Sequence, residues 1–387
     1  MRIRKILCCV CAAMLLPVMP VSAAGAPPPP EVSAKAAVLM DAQTGQIVWG
    51  LNENEKRPIA STTKIMTTLL TLESGDLDTP FTVDAEAIRV EGSSMGLQEG
   101  DTVTKRALCI GMLLPSGNDA ANAAAVAVAG SIPAFLDRMN ARAKEIGMTR
   151  SFFASPSGLD AEGHGASAAD MALLAREALK NDEFAAICSQ PEMTLEFGNP
   201  PYRRTLTNTN KLLTMDSSII GVKTGFTDAA GRTLVSAAER SGRRLICVTL
   251  FDRNDWQDHL ALYDYGFALA EGMRLPIPED IAVPLEGSAM QKLAVYTPEP
   301  LTVTAWRGIP PEVTCTVLLP PFLTAPVARG EQVGELVCTA GYAEIARLPL
   351  LAVQDAAASE TKPAGGSVGA LFTRLFAQIR RLFSDYK

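Results

Sequence analysis

The sequence predicts a mixed α/β fold, α+β in character: a sheet with flanking helices and an inserted helical lobe. A small all-β module and a terminal amphipathic helix follow it. Three observations carry this reading. Strand-like runs at residues 36–41 and 46–50 lie far from three more at 219–223, 233–238 and 245–251. Helical periodicity fills most of the chain between them. After residue 280 the pattern becomes short β-prone runs broken by proline and glycine.

The ends and the composition bound what the chain can be. With 387 residues, 48% of them apolar and 20% charged, it can bury a large core in two or three domains. Residues 1–23 read as a secretory leader. Arg2, Arg4 and Lys5 precede the apolar run 6–18, and Val21-Ser22-Ala23 offers small residues to a signal peptidase. Without those three cations the formal net charge moves from −7 to −10, and an acidic body argues against nucleic acid as a partner. Five cysteines remain, Cys109, Cys188, Cys247, Cys315 and Cys338, too widely spaced for a metal-ligand motif. Cys315 and Cys338 could pair, but spacing does not decide it. His164 and His259 are the only histidines, without His-Glu-x-x-His, so neither a zinc site nor any other cofactor is expected.

Taken in order, residues 24–33 form a proline-rich lead-in, and 34–279 hold the α/β domain. A hairpin at 36–50 feeds a helix opened by Ser61. Ile65, Met66, Leu69, Leu70 and Leu72 surround that helix nearly completely, which predicts burial. The region from about 73 to 195 reads as mostly helical, with helices at 104–114, 119–129, 133–146 and 168–179 and a loop at 147–165. A helix at 255–269 closes the domain. Residues 280–352 form the β module, whose expected role is spacer or docking surface, and 353–367 a linker. In 368–387, Leu371, Phe372, Leu375, Phe376, Ile379, Leu382 and Phe383 keep helical spacing, while Arg374, Arg380, Arg381 and Lys387 lie off that stripe. A basic amphipathic helix of this kind suits the interfacial plane of a membrane with anionic lipid.

The chemistry is expected in three segments. Ser61 and Lys64 stand three apart, on one helix face. A lysine drawn out of water loses affinity for its proton and can then take the proton of a serine nucleophile. Ser-x-x-Lys alone is a weak signal. Ser116-Gly117-Asn118 adds a hydroxyl and a carboxamide on a tight interhelical turn, and Lys223-Thr224-Gly225 adds a cation and a hydroxyl at a strand end.

These motifs, in this order, resemble the low-molecular-mass penicillin-binding proteins that act as D-alanyl-D-alanine carboxypeptidases. The resemblance covers about 34–270 and includes Gly158-Leu159-Asp160, Gly163-His164 and Asp264-Tyr265-Gly266-Phe267. It implies an antiparallel β-lactamase/transpeptidase-like domain and a β-lactam-sensitive exopeptidase that trims peptidoglycan stems ending in D-Ala-D-Ala. Ser61 would attack the penultimate carbonyl, Lys64 would be the base and Ser116 a proton relay. Asn118 would hold the acyl side-chain amide. Lys223 and Thr224 would bind the terminal carboxylate, and Gly225 would let substrate lie along the strand edge. The N–H groups of Ser61 and Phe226 would form the oxyanion hole; some relatives carry histidine at the position of Phe226. Arg253 is a further candidate for the carboxylate and His164 for catalysis. The implied location is extracytoplasmic, on the outer face of the membrane. A serine β-lactamase shares the acylation chemistry, but no Glu-x-x-Leu-Asn lies between Asn118 and Lys223. An endopeptidase or transpeptidase would use the same residues on a cross-link. A non-catalytic wall-binding scaffold would have no physical need for them.

Overall fold

The computed structural model describes residues 12–14, 27–275, 280–309, 313–340 and 343–359. Most of the expected leader, the end of the linker and the whole terminal helix lie outside the described residues. Within the expected leader, β1 (Ala12–Met14) runs antiparallel to Val313–Leu318.

The first unit runs β2 (Ala36–Asp41), β3 (Ile47–Leu51), a 3-10 turn at Ala60–Thr63, and α1 (Lys64–Glu73). The inserted lobe follows as β4 (Phe81–Thr82), β5 (Thr102–Val103), α2 (Lys105–Leu113), α3 (Asn118–Ala129), α4 (Ile132–Ile146), α5 (Ala168–Ala178) and α6 (Asp182–Cys188). A hairpin of β6 (Glu192–Gly198) and β7 (Pro201–Thr207) and a short α7 (Leu212–Met215) lead to β8 (Ile219–Thr227), β9 (Gly231–Arg240), β10 (Arg243–Leu250) and α8 (Asp255–Leu269).

Five strands pair antiparallel in the order β3-β2-β10-β9-β8. Strand side chains alternate between faces, and here both faces are covered. Ala36, Val38 and Met40 enter the core shared with α1 and the lobe, while Leu39 packs with Leu262 and Tyr263 of α8. All six β2 residues are therefore buried. α1 is buried on nearly every side, as its apolar ring requires. Each of Ile65, Met66 and Leu69 removed from water stabilises the unit by about 2 kcal/mol. Thr104, Ser131 and Ser167 start α2, α4 and α5 by accepting from the backbone N–H three residues on.

Two expectations need correction. Ser61 lies in the 3-10 turn ahead of α1, so Lys64 and not Ser61 opens the α-helix. The stretch 73–195 is less helical than expected. Residues 83–101 carry little regular structure because Gly92, Ser93, Ser94, Gly96 and Gly100 interrupt it, and β6 begins at Glu192.

The second module contains β11 (Ala270–Arg274), β12 (Ala282–Glu286), β13 (Lys292–Tyr296), β14 (Thr302–Trp306), β15 (Val313–Leu318), β16 (Leu323–Thr324), β17 (Gln332–Ala340) and β18 (Ala343–Ala352). Its large sheet has the order β1-β15-β17-β18-β13-β12-β16, and β11 pairs with β14. Val283, Leu293, Val295, Leu336 and Leu350 form its core. Cys315 and Cys338 are register partners on β15 and β17 and form a disulfide. α8 passes into β11 without a linker, and the buried Trp306 Nε1 donates to Asp41 Oδ2 at 3.2 Å, tying the two units together.

Candidate active site

Ser61 is presented by a strained turn. Ala60, just before it, has φ +46°, and Ser116 on the α2–α3 turn has φ +67°. Side chains with a Cβ avoid this left-handed region at a cost of about 1 kcal/mol or more, and such strain concentrates at functional sites. The turn is clamped from outside. Thr233 Oγ1 on β9 donates to the Ile59 carbonyl at 3.1 Å, and Gly158 packs so closely that a Cβ there would stand 2.0 Å from Ala60 O.

Lys64 is wholly buried, while Ser61 is half-buried. Lys64 Nζ lies 2.8 Å from Ser61 Oγ, 2.7 Å from Asn118 Oδ1 and 2.6 Å from the Ser157 carbonyl. An uncharged amine has two hydrogens and one lone pair. The amide oxygen and the carbonyl can only accept, so they take both hydrogens, leaving the lone pair for the Ser61 hydroxyl proton. Desolvation, then the nearby Lys223 charge, pulls the Lys64 pKa well below the usual lysine value, with Asp119 acting in the opposite sense. The site thus favours the form that can act as a base.

Lys223 is also buried, donates to the Thr224 carbonyl at 2.8 Å, and is brought down to about 7 by desolvation. Thr224 Oγ1 lies 2.6 Å from Thr209 Oγ1. Gly225 faces the turn: a Cβ there would stand 3.0 Å from the backbone nitrogens of Ser61 and Thr62. The next side chain, Phe226, is 64% exposed. The Ser116 hydroxyl has no hydrogen-bond partner among the described residues, and Asn118 Nδ2 donates to the Glu91 carbonyl at 2.7 Å.

Ser61, Lys64, Asn118, Lys223 and Gly225 therefore converge, and His164 lies behind the turn that carries Ser61. His164 Nδ1 accepts from Ala154 N–H at 3.1 Å, which puts the ring proton on Nε2, 2.9 Å from Thr63 Oγ1. Burial brings this imidazole down to about 4, so it is a neutral strut beneath the turn and not a base for Ser61. Arg253 is exposed, its backbone N–H donates to Ser33 Oγ, and its guanidinium has no partner among the described residues. His259 bridges Ser236 and Thr249 in the core, as a buried helix histidine should. Sequence reasoning missed the Ser157 carbonyl, Thr209 and Thr233. A backbone acceptor leaves no residue-type signal, and the two threonines meet the site only through the sheet.

Residues 22–254 match the family model described as D-alanyl-D-alanine carboxypeptidase, Peptidase_S11, and residues 280–358 match the penicillin-binding protein 5 C-terminal domain. The D-alanyl-D-alanine carboxypeptidase DacF of Bacillus subtilis is 31% identical over 334 residues, covering 83% of this chain and 85% of the relative. DacC of Escherichia coli is 33% identical, covering 84% and 85%. Among solved structures, DacD of Francisella tularensis superposes with a TM-score of 0.63 at 29% identity, covering 89% of this chain and 98% of that one. The chain belongs to the D-alanyl-D-alanine carboxypeptidase family of serine peptidases.

Proposed function

We propose that the chain removes the terminal D-alanine of peptidoglycan stem pentapeptides through an acyl-enzyme on Ser61. The observation that carries this is the hydrogen count at Lys64, which leaves a lone pair 2.8 Å from the Ser61 hydroxyl. Lys64 takes the proton as Ser61 Oγ bonds to the penultimate carbonyl carbon. Ser116, whose hydroxyl has no partner among the described residues, passes a proton to the departing D-alanine amine. The N–H groups of Ser61 and Phe226 stabilise the oxyanion; the close approach of Gly225 to Ser61 N supports that pairing. Asn118 Nδ2 keeps one hydrogen for a substrate amide, and Lys223 with Thr224 receives the free carboxylate that makes the enzyme an exopeptidase. Water then releases the shortened stem. A β-lactam would acylate Ser61 by the same attack.

The chain is exported, with residues 368–387 lying on the outer face of the membrane, a reading supported by the leader-like start and the basic amphipathic tail. Deleting 368–387 then releases the protein from membranes with soluble activity retained; unchanged retention removes the anchor.

The principal test incubates the purified chain from residue 24 with a pentapeptide ending in D-Ala-D-Ala and follows free D-alanine. Release that Ser61→Ala abolishes supports the reading. Rapid penicillin turnover without D-alanine indicates a β-lactamase, cleavage of cross-linked dimers alone an endopeptidase, and inactivity a scaffold.

A further inference from the structure

Asn118 can present its oxygen to Lys64 only if its amide is turned one way round, and the group that turns it lies outside the three motifs. Asn118 Nδ2 donates to the Glu91 carbonyl at 2.7 Å, and its backbone N–H donates to the Ser93 carbonyl at 2.7 Å. A reversed amide would face donor to donor at Lys64 and acceptor to acceptor at Glu91, so the Glu91 carbonyl selects the working orientation. Residues 91–97 contain neither helix nor strand. What shapes them is Asp119, 2% exposed on the first turn of α3. Its Oδ1 accepts from Met95 N–H at 2.9 Å, and its Oδ2 accepts from Ser94 Oγ at 2.5 Å, Gly96 N–H at 3.1 Å and Leu97 N–H at 3.0 Å. An acid that merely complemented the helix dipole would turn to its own helix. Only one of the Asp119 hydrogen bonds does so, that from Ala120 N–H at 2.8 Å.

We propose that Asp119 is a positioning residue for acylation: by folding residues 91–97 it presents the carbonyl that locks the Asn118 amide oxygen onto Lys64. The inference rests on Lys64 acting as the base toward Ser61. Two charged groups act on Lys64, Lys223 from β8 and Asp119 from α3, and Asp119 favours the protonated form. Losing Asp119 or the oriented oxygen therefore disfavours that form.

The test measures acylation of the full chain by a fluorescent penicillin across pH, with folding checked by circular dichroism. Asp119→Asn is expected to acylate about 30-fold more slowly on the plateau, as when a buried charge-assisted contact no longer aligns a base. Its acid limb moves to lower pH, and the amides of residues 95–97 exchange faster. Ser94→Ala, which removes one of the Asp119 contacts together with the Gly96 N–H bond to Ser94 Oγ at 2.8 Å, loses about threefold and shifts in the same direction; it decides the matter if Asp119→Asn does not fold. A folded variant with wild-type plateau and limb overturns the proposal. So does a lowered plateau with an unmoved limb, which marks a structural role alone. Wild-type protein that is labelled by penicillin yet releases no D-alanine breaks the carboxypeptidase reading while leaving the Asp119 comparison legible.

Discussion

The two units bury different things. Among the described residues, every buried lysine, histidine and carboxylate lies before residue 260, including Lys64, Lys223, His164 and His259. The β module buries aliphatic residues, Trp306 and a disulfide. Removing an ionisable group from water is unfavourable, so such groups persist where they serve something other than stability. Chemistry resides in the first unit, and the second has no buried group of that kind among its described residues. This fits the expectation that it is a spacer or docking surface.

The largest expected effect sharpens this contrast. Lys64→Met keeps the side-chain length and removes the buried amine. D-alanine release should fall by roughly 10²–10⁴-fold, the contribution of a general base, while Tm rises because the amine no longer needs to be desolvated. Lower activity together with a lower Tm would break the comparison.

Next comes acid. The unfolded chain protonates histidine near 6.5, whereas folded His164 resists to about 4 and His259 to about 3. Below pH 6.5 the unfolded state therefore binds more protons. Stability falls with pH through that window, by about 3 kcal/mol for His164 alone at its end. The β module contains no histidine, so urea unfolding near pH 4 should separate into two transitions, the α/β unit first. Superimposed transitions would count against the contrast.

Reducing Cys315–Cys338, which closes a loop with a sequence separation of 23, should destabilise the β module by about 3 kcal/mol and leave D-alanine release unchanged. Loss of activity on mild reduction would show that the module supports the cleft. The smallest effect concerns Lys223. Its pKa of about 7 makes kcat/KM fall as pH rises past neutrality, because a neutral amine no longer attracts the carboxylate. Lys223→Arg remains charged, so the alkaline limb should move upward, a change of a few-fold near pH 8 read from the pH profile.

Much of the molecule is legible in the sequence where type and spacing coincide. Ser61 with Lys64, Ser116 with Asn118, and Lys223 with Gly225 are local patterns, and the strands of the main sheet announce themselves as apolar runs. The β6–β7 hairpin carries a signal too, which a helical reading to residue 195 passes over: Met193, Leu195 and Phe197 alternate with Thr194 and Glu196. His164 misleads because a glycine-flanked histidine offers the same signal whether it is a base or a strut; only the Ala154 contact separates the two. Asp119 looks in the sequence like no more than the next residue of a helix, since its partners at 94–97 are brought to it by folding.

Gly225 has one more consequence. Any side chain there would collide with Thr233 Oγ1, at 2.4 Å, and crowd the nitrogens of Ser61 and Thr62. A substitution at Gly225 would therefore displace the turn that carries Ser61, so on the proposed mechanism resistance gained there would cost the enzyme its own acylation.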